Sequence, residues 1–318
     1  MHIIQELLFV IAFGLAVYLF SRKAAQIRRN ILLGRDVDLN DQPALRWRNL
    51  LLLAFGQKKM FRKPLVAVLH FFVYAGFVII NLEILEIILD GILGTHRLFA
   101  PILGGLYPIL IGAFEVLAVL VIVGCAVFLA RRNIVKVKRL DQHELDGWPR
   151  SDANYILITE IVLMLLFLTM NTADHGSFLI SGQFKPLFSG LSADTLVAIE
   201  RTCWWLHIIG ILAFLNYLPY SKHLHIILAF PNAYYADLRP KGKMENMPAV
   251  QKEVSLMLQP ELAAAEPPSD TLPKFGAKDV QTLPGKTCWM LTVVRNVAVV
   301  RQPVPPISPV RNFRRVRS

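Results

Sequence analysis

Three histidines on the last long hydrophobic stretch carry the strongest chemical signal. His207 stands near its start in C-W-W-L-H, and His223 and His225 close it in Y-S-K-H-L-H. His207 and His225 are 18 residues apart, which on a helix rising about 1.5 Å per residue is about 27 Å, close to the thickness of bilayer hydrocarbon. They are expected near opposite faces of one membrane span. An imidazole at such a depth needs a partner inside a helix bundle, and haem iron is a partner that suits it. A b-type haem site is therefore the first expectation, with interfacial or hydrogen-bonded helix histidines as the plain alternative.

A second helix supplies the mate. His70 follows Pro64 by six residues in L-H-F-F-V-Y-A-G-F. A helix that starts at Pro64 and a stretch that ends at His225 would bring two imidazoles to the same depth, as axial ligation of one haem iron requires. His70 with His225 is the preferred pair of haem ligands, and His223 is the reserve. His207 is a candidate ligand for a second haem, but at its depth the second stretch offers Asn81, Glu83 and Glu86; His96 and His175 lie in or near loops. Glu83 and Glu86 share a helix face, and Glu115 and Glu160 also fall inside apolar stretches. Intramembrane carboxylates mark proton or quinol routes, so Glu83 and Glu86 are read as a proton relay, against the plainer reading of carboxylates hydrogen-bonded to a neighbouring helix.

The elements that must hold these residues are membrane spans. Of 318 residues 54% are hydrophobic and 18% charged, and the apolar residues come in long blocks, five of which qualify as spans: 3–20, 64–89, 106–130, 155–171 and 203–220. Residues 22–63 hold 11 Lys and Arg and residues 131–150 hold 6, whereas the alternate loops, 90–105 and 174–200, hold only Arg97 and Lys185. Basic loops stay cytoplasmic, which places the amino terminus outside and the carboxyl terminus inside. The net charge of +11 is thus largely a topology signal. Nucleic-acid binding is a poor alternative, because the basic residues flank spans without interleaved aromatics. The first block has no basic run before it and no small-residue cleavage site, and reads as a retained anchor. Cys125, Cys203 and Cys288 are scattered and form no disulfide framework or four-ligand metal site.

The order of these features resembles a known family. Five spans with the amino terminus outside, a histidine early in the second, and histidines 18 apart on the fifth resemble the membrane cytochrome b (gamma) subunit of respiratory nitrate reductase. That family carries a second histidine about ten residues after the first, where this sequence reads Ile80-Asn81, so the resemblance implies one haem b and leaves a second without its second-span ligand. From His70 through N-L-E-I-L-E, G-T-H-R, G-W-P-R-S-D-A-N-Y and L-H-I-I-G to Y-S-K-H-L-H-I-I-L-A-F-P-N, the chain also resembles the fused membrane and iron–sulfur oxidoreductases related to heterodisulfide reductase. This resemblance covers residues 1–281. It implies electron exchange between a membrane quinone and a cytoplasmic unit bearing 4Fe-4S clusters, with a soluble iron–sulfur or flavin protein as partner.

Beyond the spans, residues 231–281 read as a cytoplasmic linker with one short helix near 254–258. Residues 282–318 match no domain pattern. Restoring one G after the Gln281 codon lets the tail spell a ferredoxin-like C-x-x-C-x-x-C-x-x-x-C-P run, whose cysteines fall at Val294, Val297, Val300 and Val304. The tail is expected to be an out-of-frame, mostly irregular remnant without iron–sulfur ligands; the alternative is a genuine basic tail that touches lipid headgroups.

Taken together, the sequence reads as an all-α, multi-pass bundle of the bacterial inner membrane. Its domains are a cytochrome b-like part (1–230), a linker (231–281) and the tail (282–318). The expected function is electron transfer between a quinone pool and an iron–sulfur unit through haem b, incomplete in this chain. A haem-free transporter or assembly scaffold is the alternative from a different class.

Overall fold

The computed structural model describes residues 2–138, 140–141, 143, 146–174, 178–240, 247–259, 261 and 279–296. Among these the only β-pairing is an isolated bridge between Arg35 and Pro284; the rest is helix and turn. The helices are α1 (His2–Ile31), α2 (Pro43–Asn49), α3 (Pro64–Leu93), α4 (Phe99–Leu103), α5 (Tyr107–Asn133), α6 (Trp148–Ala173), α7 (Ser181–Phe184), α8 (Ala193–Tyr217), α9 (His225–Tyr234), α10 (Pro248–Leu258) and α11 (Gly285–Asn296). Five segments are long and apolar enough to cross a membrane: Ile3–Ile31, Pro64–Leu93, Phe99–Asn133, Trp148–Ala173 and Ala193–Tyr220. The chain has the make-up of a multi-pass membrane protein.

The chain divides into two compact units. The first is built on Met1–Ala16 and Leu65–His223, and its pattern is inverted relative to a water-soluble protein. On α3, Leu65, Val78, Leu82 and Leu85 are exposed apolar residues, while Gly76, Ile80, Glu83, Glu86, Ile87 and Asp90 are buried. With side chains at every third or fourth position on one face, the acids point inward and the aliphatics outward, as lipid solvation demands. The core is Phe9 of α1, Ile111, Phe114, Ala118 and Val121 of α5, Leu163 and Phe167 of α6, and Trp204 and Ile208 of α8. Small residues let the helices close up. A Cβ on Gly76 would overlap the Val121 side chain, and one on Gly210 would come within 2.8 Å of Leu163 Cδ2.

The second unit is built on Val17–Pro64 and Leu224–Val293. Its centre is Arg46, 2% exposed, which donates to the carbonyls of Asp41 (2.7 Å), Tyr234 (3.1 Å) and Ala236 (3.2 Å) and pairs with the Asp41 carboxylate. Trp47 packs on Tyr234 and Phe55 on Phe230. The region expected to be an irregular tail contributes α11 here. Arg35 N donates to the Leu283 carbonyl and its own carbonyl accepts from Gly285 N, both at 2.9 Å, Lys286 Nζ donates to the Asn232 carbonyl at 2.9 Å, and Trp289 Nε1 donates to the Leu228 carbonyl at 3.3 Å. The short helix expected near 254–258 is the end of α10. Residues 297–318, with three of the four valines of the shifted-frame reading, lie outside the described residues.

One expectation about the fifth span is corrected. α8 begins at Ala193, ten residues before the hydropathic start at 203, because Ser192 Oγ caps it by accepting from Thr195 N at 3.2 Å. Three charges within 193–202 hide that part of the helix from a hydropathy reading. At the other end the helix stops at Tyr217. Pro219 sits in the following 3-10 turn, Ser221 is extended (φ −106°, ψ 155°), and His225 begins a separate helix, α9. His207 and His225 are therefore not two ends of one straight helix, and a rise counted along a single helix does not relate them. His207 lies near the middle of α8.

Candidate functional site

His207 is fully buried at 0% exposure. Its Nδ1 lies 2.9 Å from the Leu163 carbonyl. A carbonyl only accepts, so Nδ1 carries the proton and Nε2 keeps its lone pair. Nε2 is buried without a hydrogen-bond partner. A neutral imidazole with Nδ1–H tied to a backbone carbonyl and Nε2 open is the form a metal takes as ligand. His207 lines a cavity of about 80 Å³ with Asn81, Glu160, Phe77, Phe214 and Ile211.

Asn81, the residue expected at the level of His207, thus shares its cavity, but its amide donates to the Phe77 carbonyl one turn back in its own helix. The donor set fits one axial ligand to a haem iron. The cavity is far smaller than a porphyrin, which enters this packing only if the lining side chains turn aside.

His223 is also buried, its ring 6.1 Å from that of Phe77 and 5.2 Å from that of Phe214. Phe77 and Phe214 also line the His207 cavity, so the same two rings stand beside both histidines. His70 lies two turns before Phe77 on α3, about 10 Å of rise. His70 is half-buried on α3 in the first unit, and His225 is half-buried at the start of α9 in the second.

The turn that carries His223 is pinned from α6. Asp152, 2% exposed, accepts from Tyr217 Oη at 2.5 Å and from the Lys222 backbone N–H at 3.0 Å, and Lys222 Nζ donates to the Pro149 carbonyl. The stretch G-W-P-R-S-D-A-N-Y thereby positions Y-S-K-H.

The two acids read as a relay have different surroundings. Glu86 is held on both oxygens, by the Phe99 N–H at 2.8 Å and by Tyr107 Oη at 2.9 Å. Glu83, one turn earlier and 3% exposed, has a buried Oε2 with no hydrogen-bond partner. Glu115 accepts from Asn171 Nδ2 and from the N–H groups of Ile180 and Ser181. Glu160 faces the His207 cavity.

Sequence reasoning missed what organises these acids. Arg97, set aside as a loop residue, donates from Nε to Asp174 (2.6 Å), from Nη1 to Tyr107 Oη (2.9 Å) and from Nη2 to Asn171 (3.0 Å). Its backbone is left-handed at φ 55°, an unusual conformation for a side-chain-bearing residue. Asp90 holds it there by accepting from the N–H groups of Arg97 and Leu98 and from Thr95 Oγ1. Burial disfavours the charged guanidinium, yet Tyr107 and Asp174 outweigh it and keep Arg97 protonated well above the ordinary range. The available signal was the charge count. Several inward carboxylates at one end of the bundle face a loop with a single arginine, and buried charges must be paired. His96 lies 3.9 Å from Asp174 and is half-exposed; His175 lies outside the described residues.

None of the three cysteines is in a disulfide, and all three are buried. Among the described residues no cluster of three or more His, Cys, Asp or Glu is arranged to hold a metal ion.

No family model and no solved structure matches the chain. It is 28% identical over 253 residues to the probable iron–sulfur-binding oxidoreductase FadF of Bacillus subtilis, covering 77% of this chain and 34% of that protein. It is 26% identical over 220 residues to the EtfAB:quinone oxidoreductase of Syntrophomonas wolfei, covering 65% of this chain and 30% of that protein. The chain resembles iron–sulfur oxidoreductases. It spans about a third of the length of the curated relatives it matches.

Proposed function

We propose that this chain is the membrane part of a bacterial inner-membrane oxidoreductase that passes electrons between the quinone pool and a cytoplasmic iron–sulfur unit through haem b, in the manner of the nitrate reductase gamma subunit and the relatives of heterodisulfide reductase. The observation that carries this reading is His207, buried in mid-span and lining a cavity, with Nδ1 fixed to the Leu163 carbonyl and Nε2 without a hydrogen-bond partner. Most buried side-chain nitrogens are hydrogen-bonded, so an unpartnered Nε2 calls for an explanation, and a ligand supplies one.

Haem, when bound, supplies one-electron storage within the bilayer. The chain's residues do the rest. His207 would hold an iron near the middle of α8, and His70 and His225 are each candidate ligands for another. Asp152 would fix the turn that carries His223. Glu83, whose free oxygen faces the protein interior, is suited to take a proton given up by a quinol. Glu86 would be its fixed neighbour rather than a carrier, since both of its oxygens are already engaged. A lipid-embedded quinone and a soluble iron–sulfur or flavin protein are the partners this implies. The shifted-frame reading of residues 282–318 belongs to the same proposal and is tested at the gene: an unbroken frame with the same valines in close relatives contradicts it.

The test is a reduced-minus-oxidised spectrum of His207→Leu beside the unmodified protein. The proposal expects His207→Leu to lose part of the b-type signal and to keep its helicity. An unchanged spectrum removes His207 from the relay, and a spectrum without haem in either protein favours the haem-free scaffold.

A further inference from the structure

The histidine site leaves a second cavity in the first unit unused. It lies where α1 and α8 begin and α3 ends, encloses about 110 Å³ and is walled by Phe9, Trp204 and Trp205, with Thr95, His96 and Arg201 among the polar residues that line it. The three rings form one aromatic corner, with centroids 5.7 Å apart for Phe9 and Trp204, 6.4 Å for Phe9 and Trp205, and 5.2 Å for the two tryptophans. Phe9 is seated by Gly91, where a Cβ would come within 2.6 Å of its ring.

These walls suit a planar ring, which packs against aromatics by offset or edge contacts. The volume is of the order of the roughly 150 Å³ cavity that admits benzene. The polar lining holds the carboxylates of Glu6 and Asp90 and, beside them, donors on Thr95, His96 and Arg201. Arg201 pairs with Glu200 through Nε at 3.1 Å, which leaves its terminal NH₂ groups for a second acceptor, and both Arg201 and His96 are partly exposed, with side chains at 41% and 45%. A planar ring bearing acceptor oxygens is the ligand this combination recognises. The cavity is also close to the candidate relay, because Trp204 precedes His207 by three residues on the buried face of α8, about 4.5 Å of rise.

Resting on the quinone reading above, we propose that this aromatic cavity binds the ring of a lipid quinone, with Arg201 and His96 donating to its oxygens and Trp204 lying between the ring and His207. The position agrees with the charge pattern of the loops, which puts this end of the bundle on the outer side.

The test titrates the full chain in detergent with 2,3-dimethyl-1,4-naphthoquinone and follows tryptophan fluorescence. The chain has five tryptophans. Saturable quenching is expected; it should lose most of its amplitude in the Trp204→Phe, Trp205→Phe double variant and keep it in Trp148→Phe. Arg201→Leu and His96→Leu should each weaken binding at least ten-fold, while Arg201→Lys and His96→Gln, which keep a donor, should weaken it less. Equal affinity across these variants, or quenching that survives in the double tryptophan variant, overturns the assignment. Haem spectra of the same samples separate the two claims: donor-dependent quinone binding without haem keeps this site and refutes the relay, and haem with donor-independent binding does the reverse.

Discussion

Arg97 joins three separate segments through one guanidinium, with partners at Asp174, Tyr107 and Asn171. Removing one partner of a buried ionic network leaves the others uncompensated, at a cost of about 3–5 kcal/mol. Arg97→Ala should therefore lower the melting temperature of the detergent-solubilised protein sharply. Arg97→Lys should recover little of it, because a point charge on a flexible stem cannot reproduce the three-way fork; a lysine variant as stable as the original contradicts this role. Among the histidines, His70→Ala should remove part of the haem signal and His96→Ala should leave it intact, which a membrane difference spectrum reads directly. The candidate histidines and inward acids were legible because an ionisable group in an apolar run is conspicuous in one dimension. Arg97 was not, because its partner Asp174 is 77 residues away and only the meeting of two loops brings them together. Likewise His207 was noticed, but the lone pair on Nε2 depends on a carbonyl of another helix.

At the scale of elements, close helix contact is set by glycines. Gly76 on α3 faces Val121 on α5 with no room for a Cβ, so Gly76→Leu should force the helices apart and destabilise the first unit by about 1–3 kcal/mol; a variant with an unchanged unfolding midpoint contradicts that packing. The five long helices were readable from hydropathy, since a span's lipid contact is a composition signal. Their ends were not. α8 starts among charged residues, where a Ser192 cap and not hydrophobicity decides, and it stops at the turn containing Pro219. The proline was visible as a breaker, yet the apolar run through Y-L-P-Y-S-K-H-L-H reads as continuous, and the 18-residue spacing of His207 and His225 was measured along a helix that does not exist. α11 was missed for a related reason: its anchoring through Lys286 and Trp289 to α9 is tertiary and leaves no periodic trace.

For the whole molecule, orientation follows from the loops. A reporter placed after Phe230 should be cytoplasmic and one inserted near Ser189 external, because basic residues crowd the first side and only Arg97 and Lys185 lie in the loops of the second. Opposite accessibility would reverse the sides assigned to the quinone cavity and the iron–sulfur partner. The central claim is that this bundle carries electrons from quinol through protein-bound haem. It is tested most directly by purifying the protein from haem-replete cells and adding a naphthoquinol under anaerobic conditions while the absorption spectrum is recorded. The account predicts a protein-bound b-type spectrum that appears in its reduced form on quinol addition and is diminished in His207→Leu. A colourless protein, or a haem spectrum indifferent to quinol and to every histidine variant, contradicts it.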